Sequence, residues 1–106
     1  MNERREMDRQ TKEYRDMLRE AIEVDGLEFC LSCLVEEAAE FTVAVSHYRR
    51  GRVSISKVLE ELADVVLMAD AVRIGIDNET GFSDIIRAKS ERMGNRVSFK
   101  KGNIKK

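Results

Sequence analysis

Proline does not occur among the 106 residues, and glycine occurs only six times. Without proline, little besides glycine interrupts a helix. Gly26, Gly51, Gly75, Gly81, Gly94 and Gly102 leave long glycine-free stretches between them. Alternation of apolar and polar residues is never sustained, which argues against strands. Charge of one sign is lacking too: 19 Lys and Arg against 20 Asp and Glu give a net −1. That balance excludes a global pull towards nucleic acid or an anionic membrane. No apolar run approaches the roughly 18–20 residues of a membrane span, and no apolar segment follows the charged start of the chain. With 42% hydrophobic residues, the composition is that of a folded polypeptide, not a disordered one. The expectation is an all-α, cytoplasmic protein with one helical domain over residues 1–98 and a basic flexible tail over 99–106.

The spacing predicts four helices. The first is expected from about Glu3 to Glu23, with Met7, Tyr14, Leu18, Ala21 and Ile22 as a thin apolar stripe. A turn at Asp25-Gly26 follows, with Asp25 as its cap. The second runs from about Leu27 to Arg50 on a stripe of Leu27, Cys30, Leu34, Ala38, Phe41, Val45 and Tyr48. Arg49, Arg50, Gly51 and Arg52 end it with cations at the negative end of its dipole and a glycine at the stop. The third, capped by Ser54 or Ser56, is expected to reach Ile74 before Gly75 stops it, with Val58, Leu62, Val65, Ala69 and Val72 inward. The fourth begins between Asp77 and Phe82 and carries Phe82, Ile85, Ile86, Met93 and Val97 inward. Lys100, Lys101, Lys105 and Lys106, with no acid among them, read as a frayed tail and not as a nucleic-acid arm.

The acids break this pattern. Glu36, Glu37 and Glu40 share one turn of the second helix, and Glu60, Glu61 and Asp64 share one turn of the third. Measured from each apolar stripe, Glu37 and Glu61 fall at roughly −60°, Glu40 and Asp64 at roughly −120°, and Glu36 and Glu60 at roughly −160°. Two matching acidic ribbons therefore flank the faces that pack. Carboxylates crowded at a half-buried seam repel each other and lose hydration. Pairing with surface Arg and Lys suits Glu60. For Glu37, Glu40, Glu61 and Asp64 the economical partner is a hard divalent cation, Mg²⁺ or Mn²⁺, which takes oxygen ligands.

Glu36-Glu37-Ala38-Ala39-Glu40 followed by Glu61-Leu62-Ala63-Asp64 resembles the E-E-x-x-E … E-x-x-D pattern of the MazG-like all-α nucleoside triphosphate pyrophosphohydrolases. That superfamily includes the dimeric dUTPases and the phosphoribosyl-ATP pyrophosphohydrolases. Gly26-Leu27, Arg50-Gly51-Arg52, the run from Val58 to Val66, and Gly75-Ile76-Asp77 share the likeness, which covers roughly residues 20 to 97. The resemblance implies a four-helix bundle completed by oligomerisation, with a tetramer (a dimer of dimers) favoured over a dimer. It also implies Mg²⁺-dependent cleavage of a nucleoside triphosphate to monophosphate and pyrophosphate, in the service of nucleotide-pool house-cleaning. By motif position Glu37, Glu40, Glu61 and Asp64 would hold the metal, and Glu36 is the candidate base for the attacking water. Lys89, with Arg96 seven residues on, matches the family's phosphate-binding pair on the last helix. Many relatives have Asn four residues after that Lys, where this chain has Met93, and Arg92 or Asn95 stand near enough to substitute.

The remaining features carry less. Cys30 and Cys33 form a C-x-x-C inside an apolar helix without a second ligand pair, which suits packing cysteines. His47 is the only histidine, and no Glu-x-x-His occurs, which argues against a ferritin-like di-iron centre. No G-x-x-x-x-G-K-[ST] loop is present, so a triphosphate would be held through metal and basic side chains. Two alternatives stand beside the main reading: a phosphoribosyl-ATP pyrophosphohydrolase, and a non-catalytic helical assembly module. Neither nucleic acid nor a membrane is an expected partner.

Overall fold

The computed structural model describes residues 9, 11–76 and 81–104. Among these there are four helices and no strand: α1 (Lys12–Asp25), α2 (Leu27–Arg49), α3 (Ile55–Ile76) and α4 (Gly81–Ile104). The chain divides into a three-helix unit, residues 1–76, and a second unit, residues 77–106, that carries α4. That boundary falls inside the single body expected over 1–98. No helix among the described residues is long and apolar enough to cross a membrane.

α1 begins at Lys12 among the described residues. Thr11 has an extended backbone, and its hydroxyl accepts the Tyr14 N–H at 3.2 Å. This satisfies one of the orphan donors of the first turn and fixes the helix start at Lys12. The expected start at Glu3, and Met7, lie outside the described residues. Tyr14 and Leu18, one turn apart, are buried against Ala71 and Ile74 of α3, with Met68 beside them. The turn into α2 is a single residue, Gly26, whose φ of 87° lies in the left-handed region that glycine enters without strain. Asp25 is the last residue of α1 and does not cap α2, which has no side-chain cap.

α2 and α3 form a helical hairpin around a short turn at 50–54, where Gly51 has φ 74°. Gly75 does not stop α3, which runs on to Ile76. A Cβ at Gly75 would come within 2.8 Å of Ile22 Cδ1 and 3.1 Å of Leu27 Cδ1, so this glycine lets α3 approach the α1–α2 corner closely. The buried faces keep most of the expected stripes and extend to one side of them, where the acids lie. On α2 the expected Leu27, Cys30, Leu34, Phe41 and Val45 are covered, with Cys33, Glu37 and Ala44 covered on one side of them, while Ala38 and Tyr48 are exposed. On α3, Glu61 is buried and Leu62 is exposed. The physical reason is that α3 is the main cover of α2, so the seam follows the line where these two helices meet, and the acids lie in it.

α4 runs to Ile104, so residues 99–104, expected as a frayed tail, are helical. With no proline and only Gly94 and Gly102 as weak breaks, nothing local ends the helix sooner. Phe82, Ile85, Ile86, Met93 and Val97, expected to point inward, are all exposed.

Candidate metal centre

Glu37 comes from the middle of α2, and Glu61 and Asp64 from the first half of α3. Each offers one carboxylate oxygen, and the three oxygens lie within 4.8 Å of one another. Glu61 is buried, Glu37 half-buried and Asp64 exposed, so the group grades from the seam out to solvent. The spacing explains this. Positions 61 and 64 are i and i+3 on one helix face, and the antiparallel partner brings residue 37 opposite them.

The group is only partly compensated. Glu61 Oε2 is 3.0 Å from the Lys57 ammonium, one turn earlier on α3, and that carboxylate holds the Lys57 pKa above its ordinary value. Glu61 Oε1 is buried with no hydrogen-bond partner. The Glu37 carboxyl is pushed above the usual range, first by loss of hydration, then by a hydrogen bond with Glu40 and the negative charges of Asp64, Glu40 and Glu61. One half-exposed lysine therefore faces several acids. A buried carboxylate oxygen with no donor costs free energy unless something positive meets it.

The donor set fits a hard divalent ion. All three donors are carboxylate oxygens, and the orphaned Oε1 is an unused ligand. An octahedral ion with bonds of about 2.0–2.1 Å holds its ligand oxygens no more than about 4.2 Å apart, so small side-chain movements close the set. Glu37, Glu61 and Asp64 are thus the three of the four expected ligands that the fold draws tightest. Glu40 joins through its hydrogen bond to Glu37. Glu36 is exposed on α2, outside this group. Lys89, Arg92 and Arg96 are exposed on α4, in the second unit. Lys89 and Arg96, two turns apart, share one face of that helix, with Arg92 one turn from each.

Two features escaped the sequence reading. Lys57 could have been found, because it stands four residues before Glu61 on the same helix. The other is Asp70. It is buried in α3 and accepts the Arg9 guanidinium at both oxygens, Nε at 2.8 Å and Nη2 at 3.0 Å, and the Tyr14 hydroxyl at 2.7 Å. Arg73 Nε is 3.9 Å away. Burial pushes the Asp70 carboxyl up, but these hydrogen bonds and the charges of Arg9 and Arg73 outweigh it and hold it below its ordinary value. The only sequence signal was an aspartate inside the apolar run Val65 to Val72. Cys30 is buried and Cys33 half-buried, both as free thiols, and burial pushes the Cys30 thiol upward, as befits a packing residue.

Comparison of the chain with protein-family models, with curated proteins and with solved structures gives no significant match.

Proposed function

We propose that the chain is a Mg²⁺- or Mn²⁺-dependent nucleoside triphosphate pyrophosphohydrolase of the MazG-like kind, splitting its substrate into monophosphate and pyrophosphate. The observation that carries this reading is the three-carboxylate group across α2 and α3, with a buried Glu61 oxygen that has no partner. The motif acids from Glu36 to Asp64 support it, since a purely structural seam has no need of them at that spacing. Glu37, Glu61 and Asp64 are the ligands, and Glu40 completes them beside Glu37. A bound divalent ion would supply positive charge for the triphosphate and an oriented water. Glu36 would take the proton of that water, and Lys89, Arg92 and Arg96 on α4 are the candidates by motif position for holding substrate phosphates.

The test is pyrophosphate release from a panel of deoxy- and ribonucleoside triphosphates and phosphoribosyl-ATP, with and without Mg²⁺. Metal-dependent release from at least one substrate is expected. No release from any of them by the folded protein with either metal would reject the enzyme. Within it, Glu36→Gln should lower kcat by about 10²–10⁴-fold with metal affinity near wild type, whereas Glu40→Gln should weaken metal binding. Equal loss of metal in both variants would make Glu36 a ligand.

A second reading, an assembly module, draws on the apolar surface. Leu59 and Leu62 on α3, Val35 and Val43 on α2, and Ile85, Ile86 and Met93 on α4 are all exposed. Exposed apolar residues on this scale favour association with further copies. We propose a homo-oligomer in either case, a tetramer before a dimer, and sedimentation of a stable folded monomer at micromolar concentration would reject it.

A further inference from the structure

From Phe41 to Leu59 the chain holds no acid, while three arginines, one lysine and one histidine fall in that stretch. It forms the end of the α2–α3 hairpin. Between residues 9 and 76, cations elsewhere are occupied: Arg9 and Arg73 on Asp70, Lys12 and Arg19 on Asp16, Lys57 on Glu61, and Arg15 engaged as well. Of the cations between residues 9 and 76, only Arg49, Arg50 and Arg52 have no side-chain partner among the described residues. Their ordinary use would be to offset the carbonyl end of α2. Those carbonyls are already met by backbone donors. The Arg50 N–H bonds Ser46 O and His47 O at 3.2 Å, the Gly51 N–H bonds Tyr48 O at 2.9 Å, and the Arg52 N–H bonds His47 O at 2.8 Å.

Arg49 and Arg50 are among the lining residues of an open, one-sided cleft of about 470 Å³, together with Thr42, Val45 and Ser46. These positions lie at i, i+3, i+4, i+7 and i+8, so they form one face of α2. Thr42 gives its hydroxyl proton to Ala38 O at 3.0 Å, which leaves Ser46 as the hydroxyl donor of the cleft. Glu37 and Glu40 project roughly 150° around the same helix, and Glu37 is about 18 Å along it from Arg49. The cleft is therefore separate from the carboxylate group and independent of the function proposed above.

We propose that this cleft is a binding site for a small phosphate-bearing anion, with the planar forks of Arg49 and Arg50 and the Ser46 hydroxyl as donors and Arg52 adding charge. Planar guanidinium groups match phosphate oxygens two at a time, which a scattered surface lysine does not. A nucleic acid backbone fits less well. Within residues 9–76 the unpaired cations are gathered at one point and not in a stripe, and the same hairpin carries six acids from Glu36 to Asp64 that repel a long polyanion.

The test is titration of the full chain with inorganic pyrophosphate in EDTA, followed by amide chemical shifts and calorimetry. Shifts centred on Thr42, Ser46 and Arg49 to Arg52 are expected. The Arg49→Gln/Arg50→Gln variant should bind at least about ten-fold more weakly, while Arg15→Gln/Arg19→Gln, which removes the same charge from α1, should bind as wild type. Circular dichroism should show both variants folded, because the end of α2 is capped by backbone groups. Absence of shifts at the cleft, or equal weakening in the two variants, would overturn the site. Tighter binding of a DNA duplex than of pyrophosphate would overturn its assignment to a small anion. If wild type ignores pyrophosphate and Arg49→Gln/Arg50→Gln changes the oligomeric state, the arginines belong to a contact between copies and the proposal fails.

Discussion

Glu61 and Asp70 stand nine residues apart on α3 and are almost equally buried, 9% and 7% exposed. Nine residues make two and a half turns, so the two acids face opposite sides of the helix. Asp70 faces α1 and receives three hydrogen bonds, from Arg9 and Tyr14. Glu61 faces α2 and meets two further carboxylates, one lysine and no donor for Oε1. The same burial thus has two outcomes. Around Asp70 the fold supplies every group that the charge needs, and the result is a clamp holding α1 on α3. Around Glu61 the fold concentrates charge of one sign and leaves an oxygen unused. The centre satisfied from within holds the fold together, and the unsatisfied one is where the proposed cation would bind.

The largest expected break of this contrast is Asp70→Ala. It strips the Tyr14 hydroxyl of its acceptor and unfastens the Arg9 guanidinium. Because the Arg9 side chain is 57% exposed and rehydrates, the loss is expected at about 2 kcal/mol, below that of a fully buried pair. Chemical denaturation should show it, with α1 detaching from α3 before the α2–α3 hairpin opens. A change under about 0.5 kcal/mol would mean that the clamp is ornamental to the fold.

Glu61→Gln should act with the opposite sign. It removes one negative charge from the crowded group and gives the buried position an N–H donor. In EDTA the variant should melt no lower than wild type, or a few degrees higher. Mn²⁺ affinity should fall by at least about ten-fold, and the thermal stabilisation that Mg²⁺ gives wild type should vanish. A variant that keeps the metal response would remove Glu61 from the ligand set.

Acid titration separates the two centres without mutation. Glu37 has a raised value in the folded chain, so the folded state binds that proton more tightly. Stability in EDTA should therefore fall as pH rises above the ordinary glutamate value of 4.5, and return as pH is lowered again. Asp70 has a depressed value, so its contribution is complete above the ordinary 3.8 and is lost as pH falls through its folded value. Melting temperature against pH in EDTA should show a maximum between these limbs. Saturating Mg²⁺ should flatten the upper limb and leave the lower one in place. An upper limb unchanged by metal would sink the link between Glu37 and the cation.

The smallest effect is expected from Lys57→Ala. Its ammonium is half-exposed, so the melting temperature in EDTA should drop by no more than about 2 °C. With Mg²⁺ present the difference should close, since the ion then meets the same carboxylate.

Much of the carboxylate group was legible in the sequence because it depends on local spacing. Glu36, Glu37 and Glu40, and Glu60, Glu61 and Asp64, keep their relative directions wherever a helix forms. What spacing could not say is which acid enters the seam. The apolar stripes of α2 and α3 are broad: their centres, Leu34 and Val58, are covered, while Ala38 and Leu62, about 40° to one side, are exposed. The opposite side of each stripe, with Glu37 and Glu61, is the one that enters the seam.

The sequence by itself determined that the described chain is helical, where Gly26 and Gly51 turn it, and which acids recur at one-turn spacing, because each follows from helical periodicity or from a backbone angle. The tertiary structure alone decided that Asp70 is satisfied and Glu61 is not. Arg9 and Asp70 are sixty-one positions apart, and no short-range pattern pairs them. Their meeting depends on how α1 folds back over α3 through the left-handed turn at Gly26 and the close approach allowed at Gly75. Compensation of a buried charge is a property of what surrounds it in space, and that is settled only when helices pack.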